Sequence, residues 1–216
     1  ITAGPRSPPI ASTAMRTVVA EDIRAGWLAG AAIFVVTVIV TPNSTLDPIN
    51  VPKLWNLSIF GFAAIFMLAS KGKSLFDRKQ RFITISILGL PLYMFLGISF
   101  TDSTLSRELF GTYGRNTGFL TYFSFAALAL ILTIANTKNF KKQILICATG
   151  AISINAIYGL IQALGKDPQE WVITYTPVFG TLGNPDFVSA FLGFGSAFPL
   201  VYLFSRKTNV ILKVLC

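Results

Sequence analysis

The sequence contains no histidine and only two cysteines in 216 residues, so the most common metal ligands of proteins are nearly missing. One cysteine lies inside an apolar run and the other is the last residue. This arrangement has neither the spacing of a zinc site nor the density of a disulfide framework. A histidine or thiolate metal site is therefore excluded within these residues, and we expect neither a metal nor a cofactor.

Charge is also scarce, because 12% of the residues are charged, against roughly a quarter in an average soluble domain. Hydrophobic residues make up 53% of the chain, and the mean hydropathy is +0.64. These values exclude a disordered or collagen-like chain and disfavour a water-soluble domain. They indicate lipid as the surrounding medium.

The apolar residues form six runs, each near the roughly 20 residues that a helix needs to cross a bilayer. They cover approximately 25–41, 54–70, 82–100, 118–135, 143–164 and 186–204. No charged residue lies inside a run, and Asp186 stands at the opening of the last one. We therefore predict an all-α membrane protein, a polytopic bundle of six transmembrane helices, with 210–216 as the start of a truncated seventh.

This topology divides the chain into three parts. Residues 1–24 are rich in Pro, Ser, Thr and Ala and are predicted to be an irregular cytoplasmic leader. Residues 25–204 form the six-span membrane domain, and 205–216 form a cytoplasmic end leading into the seventh span. We expect the native chain to extend beyond one or both ends.

Positive charge falls mainly on one side of this topology. Fourteen of the 18 Lys and Arg residues, with three acidic residues, lie in the N-terminal segment, the second and fourth connections and the tail. The other connections hold four cations and six acids. Because cytoplasmic loops are rich in Lys and Arg, the N-terminus is predicted inside, with +11 inside and −2 outside. Phospholipid headgroups are then the counterions, and the basic composition does not indicate nucleic-acid binding.

The outer connections are the longest, and long loops in compact proteins are often functional. The third-to-fourth connection contains Gly111, Gly114 and Gly118, with Arg115 at the mouth of the next helix. This guanidinium could bind phosphate in a bidentate manner. Taken alone, Arg115 is more simply explained as an anchor to lipid headgroups, and the same is true of Lys53 before the second span.

The fifth-to-sixth connection ends at Asn184-Pro185-Asp186, a sequence typical of a turn that starts a helix. Within the fifth span, three polar residues share one face and predict hydrogen bonds between helices; they are Asn155, Tyr158 and Gln162. Gly26 and Gly30 in the first span predict close packing of another helix.

Four segments at the span boundaries carry a resemblance: "DPINVPKLW", "FGTYGRNTGFLTY", "IYGLIQALGKDP" and "FGTLGNPDFVSAFL". In order and position they resemble the O-antigen ligase and polymerase superfamily of bacterial membrane proteins, and residues 25–216 are similar to its N-terminal half. The resemblance implies a GT-C-like fold and a metal-independent glycosyltransferase. Such an enzyme transfers a glycan from an undecaprenyl-diphosphate carrier to a lipid, glycan or protein acceptor at the extracytoplasmic face. It implies the bacterial inner membrane and the biosynthesis of lipopolysaccharide or another envelope polysaccharide.

The resemblance also implies the site residues. Arg115 and Lys53 match basic positions of the family, and Asn184 would shape the outer cavity, whereas the family usually has Asn at the position of Asp186. We predict a substrate-binding set, led by Arg115, that consists of Arg115, Lys53, Arg107, Tyr113, Asn184 and Asp186. The catalytic residues are expected downstream of Cys216, so that this part alone would be inactive.

Two alternatives stay open at this point. One is a polyprenyl-glycan binding or transport protein, which would need polar residues along the spans. The other is a non-catalytic membrane subunit, whose spans serve only as packing surfaces.

Overall fold

The computed structural model describes residues 9–42, 47–69, 77, 80–134, 138–171, 178–197 and 200. All regular elements in these ranges are helical, which confirms the predicted all-α class for them. The helices are α1 (Pro9–Val38), α2 (Asn50–Ala69), α3 (Arg81–Gly97), α4 (Leu105–Phe110), α5 (Phe119–Ile134), α6 (Lys138–Ala163) and α7 (Pro185–Gly195). Short 3-10 turns lie at Ile98–Phe100 and Gly180–Leu182.

Three of these segments are long and apolar enough to cross a membrane, which indicates a membrane protein. They are Asn50–Ala69, Arg81–Phe100 and Phe140–Ala163. Two further apolar helices, Ile23–Val38 and Phe119–Thr133, are shorter. The five segments match the first five predicted runs. Helix α7 covers the beginning of the sixth run; most of its remainder, and all of 210–216, lie outside the described residues.

The prediction of an irregular leader up to residue 24 is wrong from Pro9 onward, because α1 already begins there. Proline is favoured at the first position of a helix, where its missing N–H group is not needed. Residues 10–24 then contain neither Pro nor Gly, so nothing in them interrupts the helix that continues into the apolar run. Residues 1–8 lie outside the described part.

The helices pack mainly in pairs: α1 against α6 and α2, α2 and α3 against α5, and α7 against α6. The α1–α6 pair is the close helix packing that Gly26 and Gly30 predicted. A Cβ atom on Gly26 would lie 3.1 Å from the Phe140 Cα atom, and one on Gly30 would lie 2.9 Å from the Cys147 Sγ atom. Small residues therefore let these two backbones approach each other, as predicted.

Burial is uneven across the bundle. A core cluster joins α1, α2, α5 and α6 and contains Ala25, Ala64, Leu68, Ala127, Leu130, Ile131 and Phe140. Helix α3 buries only Thr84 and Pro91. Most of its large apolar side chains are exposed, with Phe82 at 80% and Tyr93 at 75%. An apolar surface of this kind is stable where lipid replaces water.

Three connections meet at one end of the bundle, which we call the long-loop end; their described residues are 39–42 and 47–49, then 98–118, then 164–171 and 178–184. The start of α2 contacts both other connections. The Asn50 side-chain amide donates a hydrogen bond to the Gly114 carbonyl (2.8 Å), and Ile49 packs against Gly183. All six predicted site residues lie at this end of the bundle.

Candidate functional site

The start of α2 is fixed by Asp47. Its Oδ1 atom accepts hydrogen bonds from the backbone N–H groups of Ile49 (2.9 Å) and Asn50 (2.8 Å). At the start of a helix these N–H groups have no partner within the helix. Its Oδ2 atom accepts a bond from Asn50 Nδ2 (2.9 Å). The Asn50 amide is thereby oriented toward Gly114, and this bond ties α2 to the connection that contains Arg115.

Residues 98–118, which we call the arginine connection, reverse direction through glycine. Gly111 and Gly114 have φ values of +85° and +84°, a region that residues with a Cβ atom rarely adopt. Between them the chain turns tightly, since the N–H groups of Arg115 (3.0 Å) and Asn116 (2.9 Å) both donate to the Thr112 carbonyl. This turn holds the backbone of Arg115 in place ahead of α5.

Three predicted site residues of this connection, one on α4 and two in the turn, are exposed. Arg107 and Arg115 are exposed, and Tyr113 is 67% exposed. Neither guanidinium makes an ion pair or a side-chain hydrogen bond with any described residue. Both cations are therefore available to an anionic ligand.

Asn116, next to Arg115, is a functional candidate that the sequence did not single out. Its φ of +51° makes it the one described residue other than glycine with a positive φ. Its side chain is buried, and no described residue accepts a hydrogen bond from its Nδ2 atom. Its carbonyl accepts the Thr121 hydroxyl (2.6 Å), which fixes it to the first turn of α5. The signal in the sequence was that Asn tolerates left-handed backbone better than other residues with a side chain.

Lys53 takes a different position from the two arginines. Its ammonium group donates to the carbonyls of Val36 (2.9 Å), Thr37 (3.4 Å) and Ile39 (3.1 Å) at the end of α1. The last carbonyls of a helix lack internal partners and carry partial negative charge, so a cation stabilises them. Lys53 thus has a structural role, and its part in substrate binding stays a prediction.

The Thr37 carbonyl is a junction of three elements. It accepts a hydrogen bond from Lys53 of α2. It also accepts hydrogen bonds from the Thr181 hydroxyl (2.6 Å) and from the Asn155 side-chain amide of α6 (3.5 Å). The Asn155 Oδ1 atom in turn accepts the Thr181 N–H (3.3 Å) and lies 2.7 Å from its hydroxyl. Asn155 is completely buried. We call this group the Thr37 junction.

A second polar group, which we call the Asp167 cluster, holds the loop after α6. The Asp167 carboxylate accepts hydrogen bonds from the Tyr158 hydroxyl (3.0 Å) and the Gln162 amide (2.8 Å). The Trp171 indole donates to the same hydroxyl (2.9 Å). Gln162 Oε1 also accepts the N–H groups of Phe179 (3.1 Å) and Gly180 (2.8 Å). The predicted polar face of the fifth span therefore bonds mainly to this connection, with Asn155 alone reaching another helix.

The pKa of Asp167 reflects this environment. Burial raises the pKa of the carboxyl, but hydrogen bonds from Gln162, from the Gln169 backbone and from Tyr158 favour the charged form and lower it below its ordinary value. The carboxylate is therefore charged at neutral pH and acts as the centre of the cluster.

Asn184 and Asp186 form the start of α7, as the sequence predicted. The Asn184 side chain caps the helix by accepting the N–H of Asp186 (2.8 Å), and Pro185 follows at the first position. Asp186 is exposed in the first turn, where a negative charge suits the helix dipole.

The six predicted site residues thus fall into three places at one end of the bundle. Arg107, Tyr113 and Arg115 share the arginine connection, Lys53 belongs to the Thr37 junction, and the other two start α7. No hydrogen bond or ion pair within the described residues joins these places directly; Ile49 and Asn50 connect the first with the third.

Comparisons with known proteins add no assignment. No protein-family model, no curated protein and no solved structure matches the chain.

Proposed function

We propose that this protein is the N-terminal part of a bacterial membrane glycosyltransferase of the O-antigen ligase and polymerase type. In this proposal a glycan leaves an undecaprenyl-diphosphate carrier at the extracytoplasmic face and joins a lipid, glycan or protein acceptor. The long-loop end binds the carrier's diphosphate, and later parts of the complete protein supply the catalytic residues. The bundle has six spans and a GT-C-like arrangement.

One observation carries the proposal most directly. Arg107 and Arg115 are two exposed cations of the arginine connection, and no described residue neutralises them. A departing diphosphate develops negative charge, and preorganised guanidinium groups stabilise it because they bind phosphate oxygens with two parallel hydrogen bonds. Arg115 is the first candidate, because the Gly111–Gly114 turn fixes its backbone.

The experiment replaces Arg115 with Ala in the complete protein in its native membrane, and measures glycan transfer from the lipid-linked donor. We expect transfer to fall by about 10²–10³, the effect of losing one donor that stabilises transition-state charge. Arg115→Lys should recover part of the activity, because it keeps the charge and loses the bidentate geometry.

Lys166→Ala is the matched control, since Lys166 is another exposed cation in a long-loop-end connection. It should transfer normally and should insert into the membrane as Arg115→Ala does. Normal transfer by the Arg115→Ala variant would contradict the proposal. If the protein moves the lipid-linked donor across a vesicle membrane without transferring its glycan, the result would instead favour a transport protein.

The proposal also includes an orientation, with the N-terminus in the cytoplasm and the long-loop end outside the inner membrane. The excess of Lys and Arg on the opposite side supports it. In intact cells, Tyr113→Cys should react with a membrane-impermeant thiol reagent, and Asp77→Cys should react only after lysis. The reverse pattern would contradict the orientation.

A further inference from the structure

Two cavities lie between α3 and α5, on the exposed side of the bundle. The lower groove has a volume of about 450 Å³ and is lined only by apolar residues: Leu88, Pro91, Leu92, Phe95, Phe119 and Phe123. The upper cavity has a volume of about 480 Å³ and is lined mainly by the last turns of α3 and by residues of the arginine connection. Phe119 lines both, so they adjoin. Each has the size of a small-molecule site, roughly 300–1,000 Å³.

The upper cavity contains one charge. Its lining includes the aromatic rings of Tyr93, Phe100 and Phe119, and Glu108 is its only charged lining residue. The Glu108 Oε1 atom accepts hydrogen bonds from the Ser103 hydroxyl and the Thr101 hydroxyl. No described residue donates a bond to its Oε2 atom. The carboxylate is thus held in position with one oxygen free for a donor from a ligand.

A ligand of this cavity should carry positive charge at that point. A cation near Glu108 gains a charge-assisted hydrogen bond, and the surrounding aromatic faces attract cations as well. The neighbouring residue, Arg107, is exposed and has no ionic partner among the described residues. Arg107 does not line the cavity, and successive residues of a helix do not face each other, so Glu108 alone sets the charge there, a pattern complementary to a cation.

The lower groove supplies the place for a hydrocarbon chain. From Leu88 to Thr101, α3 and its 3-10 turn rise about 20 Å, at about 1.5 Å per helical residue. The hydrocarbon layer of one leaflet is about half of the roughly 30 Å core. The two cavities therefore cover the depth of one leaflet, with the charged end beside the loops.

We propose that these cavities bind one phospholipid with a primary ammonium headgroup, that is, phosphatidylethanolamine. The ammonium group donates to Glu108, and one acyl chain lies in the lower groove against Leu92 and Phe123. This site does not rest on the proposed glycan transfer, for which Arg115 remains the leading residue.

Headgroup chemistry decides among lipids. A choline group has no N–H donor for Glu108 and keeps only the attraction of the aromatic rings. Phosphatidylglycerol can donate hydroxyl groups, but it brings net negative charge beside a carboxylate. The order of retention should therefore be ethanolamine first, its methylated forms next, and choline and glycerol last.

The test is native mass spectrometry of the full chain in detergent, with each of these lipids added at equal concentration. We expect one retained phosphatidylethanolamine, and about tenfold weaker retention for Glu108→Gln, the loss of one charge-assisted hydrogen bond. Asp102→Asn is the control, because Asp102 is exposed and does not line the cavity. It should retain the lipid like the original chain.

A second variant tests the chain end of the site. Leu92→Trp should fill the lower groove and lower retention of phosphatidylethanolamine, and it should be tolerated because Leu92 is exposed on the surface of α3. Equal retention of phosphatidylcholine or phosphatidylglycerol would overturn the proposal, as would full retention by either the Glu108 or the Leu92 variant. Displacement of the lipid by a polyprenyl diphosphate would overturn it too, by assigning the groove to the donor. The Arg115→Ala variant should lose glycan transfer and still retain the lipid. The two proposals can therefore fail separately.

Discussion

The two large connections of the long-loop end use their polar side chains in opposite ways. In residues 164–184, the Asp167 carboxylate and the Thr181 hydroxyl bind partners from the end of α6. In the arginine connection, Arg107 and Arg115 are exposed and have no side-chain partner among the described residues. In the described part of the first connection, Asp167 and Thr181 hold the backbone, whereas Lys166 is exposed. The second relies on glycine and keeps its cations free, which is the condition for binding an external anion.

The largest effect should come from the backbone of the arginine connection. In Gly111→Ala, the new Cβ atom would lie 2.4 Å from the Thr117 nitrogen, whereas in Gly114→Ala it would meet open space. Both variants place a side chain at positive φ, which costs about 1–3 kcal/mol, and the Gly111 variant adds a steric cost of about 1–3 kcal/mol. Unfolding in detergent should show this difference. Equal stability of the two variants would mean that the connection is looser than described.

Asn155→Leu should give the next largest effect and tests the opposite connection. The substitution removes the acceptor of the Thr181 N–H from a completely buried position, so unfolding free energy should fall by about 1–3 kcal/mol. Ser153→Ala, two residues away on an exposed face, is the control and should change it by less than about 0.5 kcal/mol. If both variants unfold alike, the Thr37 junction does not hold this end of the bundle.

Asp167→Asn should have a smaller and pH-dependent effect. At neutral pH the variant should lose about 1 kcal/mol, because neutral hydrogen bonds replace charged ones. The pKa of Asp167 in the folded protein is lowered from its ordinary value of 3.8, so the stabilisation is present above that value. It is lost as the pH falls through the lowered pKa. The gap between the two proteins should therefore close in acid, and a gap constant with pH would contradict this role.

The smallest effect should come from the arginines themselves. Arg107→Gln and Arg115→Gln should change unfolding free energy by no more than about 0.5 kcal/mol, since no described residue binds either guanidinium. Thermal unfolding of both variants measures this directly. A loss above about 1 kcal/mol would show that these cations are structural and would remove the contrast between the connections.

Local chemistry made part of this structure predictable. The apolar runs marked the helices, and Asn184-Pro185 marked the start of α7 because capping needs only neighbouring residues. Gly26 and Gly30 marked the approach of α6, since a missing side chain lets any helix come close. The start of α1 was missed because composition, averaged over residues 1–24, hid a stretch without helix breakers.

Contacts between distant residues were not predictable in the same way. Lys53 could be read as an anchor or a ligand, and only the packing of α2 beside α1 places its ammonium group on the Val36 carbonyl. Asn116 and Glu108 became functional candidates only through their surroundings. The buried Asn116 amide has no hydrogen-bond acceptor among the described residues, and Glu108 lines a cavity. In each case the deciding neighbour lies on another element or across a turn, where sequence spacing carries no information.

The Thr37 junction also constrains the order of biogenesis. Lys53 follows Thr37 by 16 residues and can reach it once α1 and α2 have formed. Thr181 follows it by 144 residues, so its hydroxyl arrives only after synthesis has passed four further helices. Because segments insert in the order of translation, this end of the bundle stays open until then.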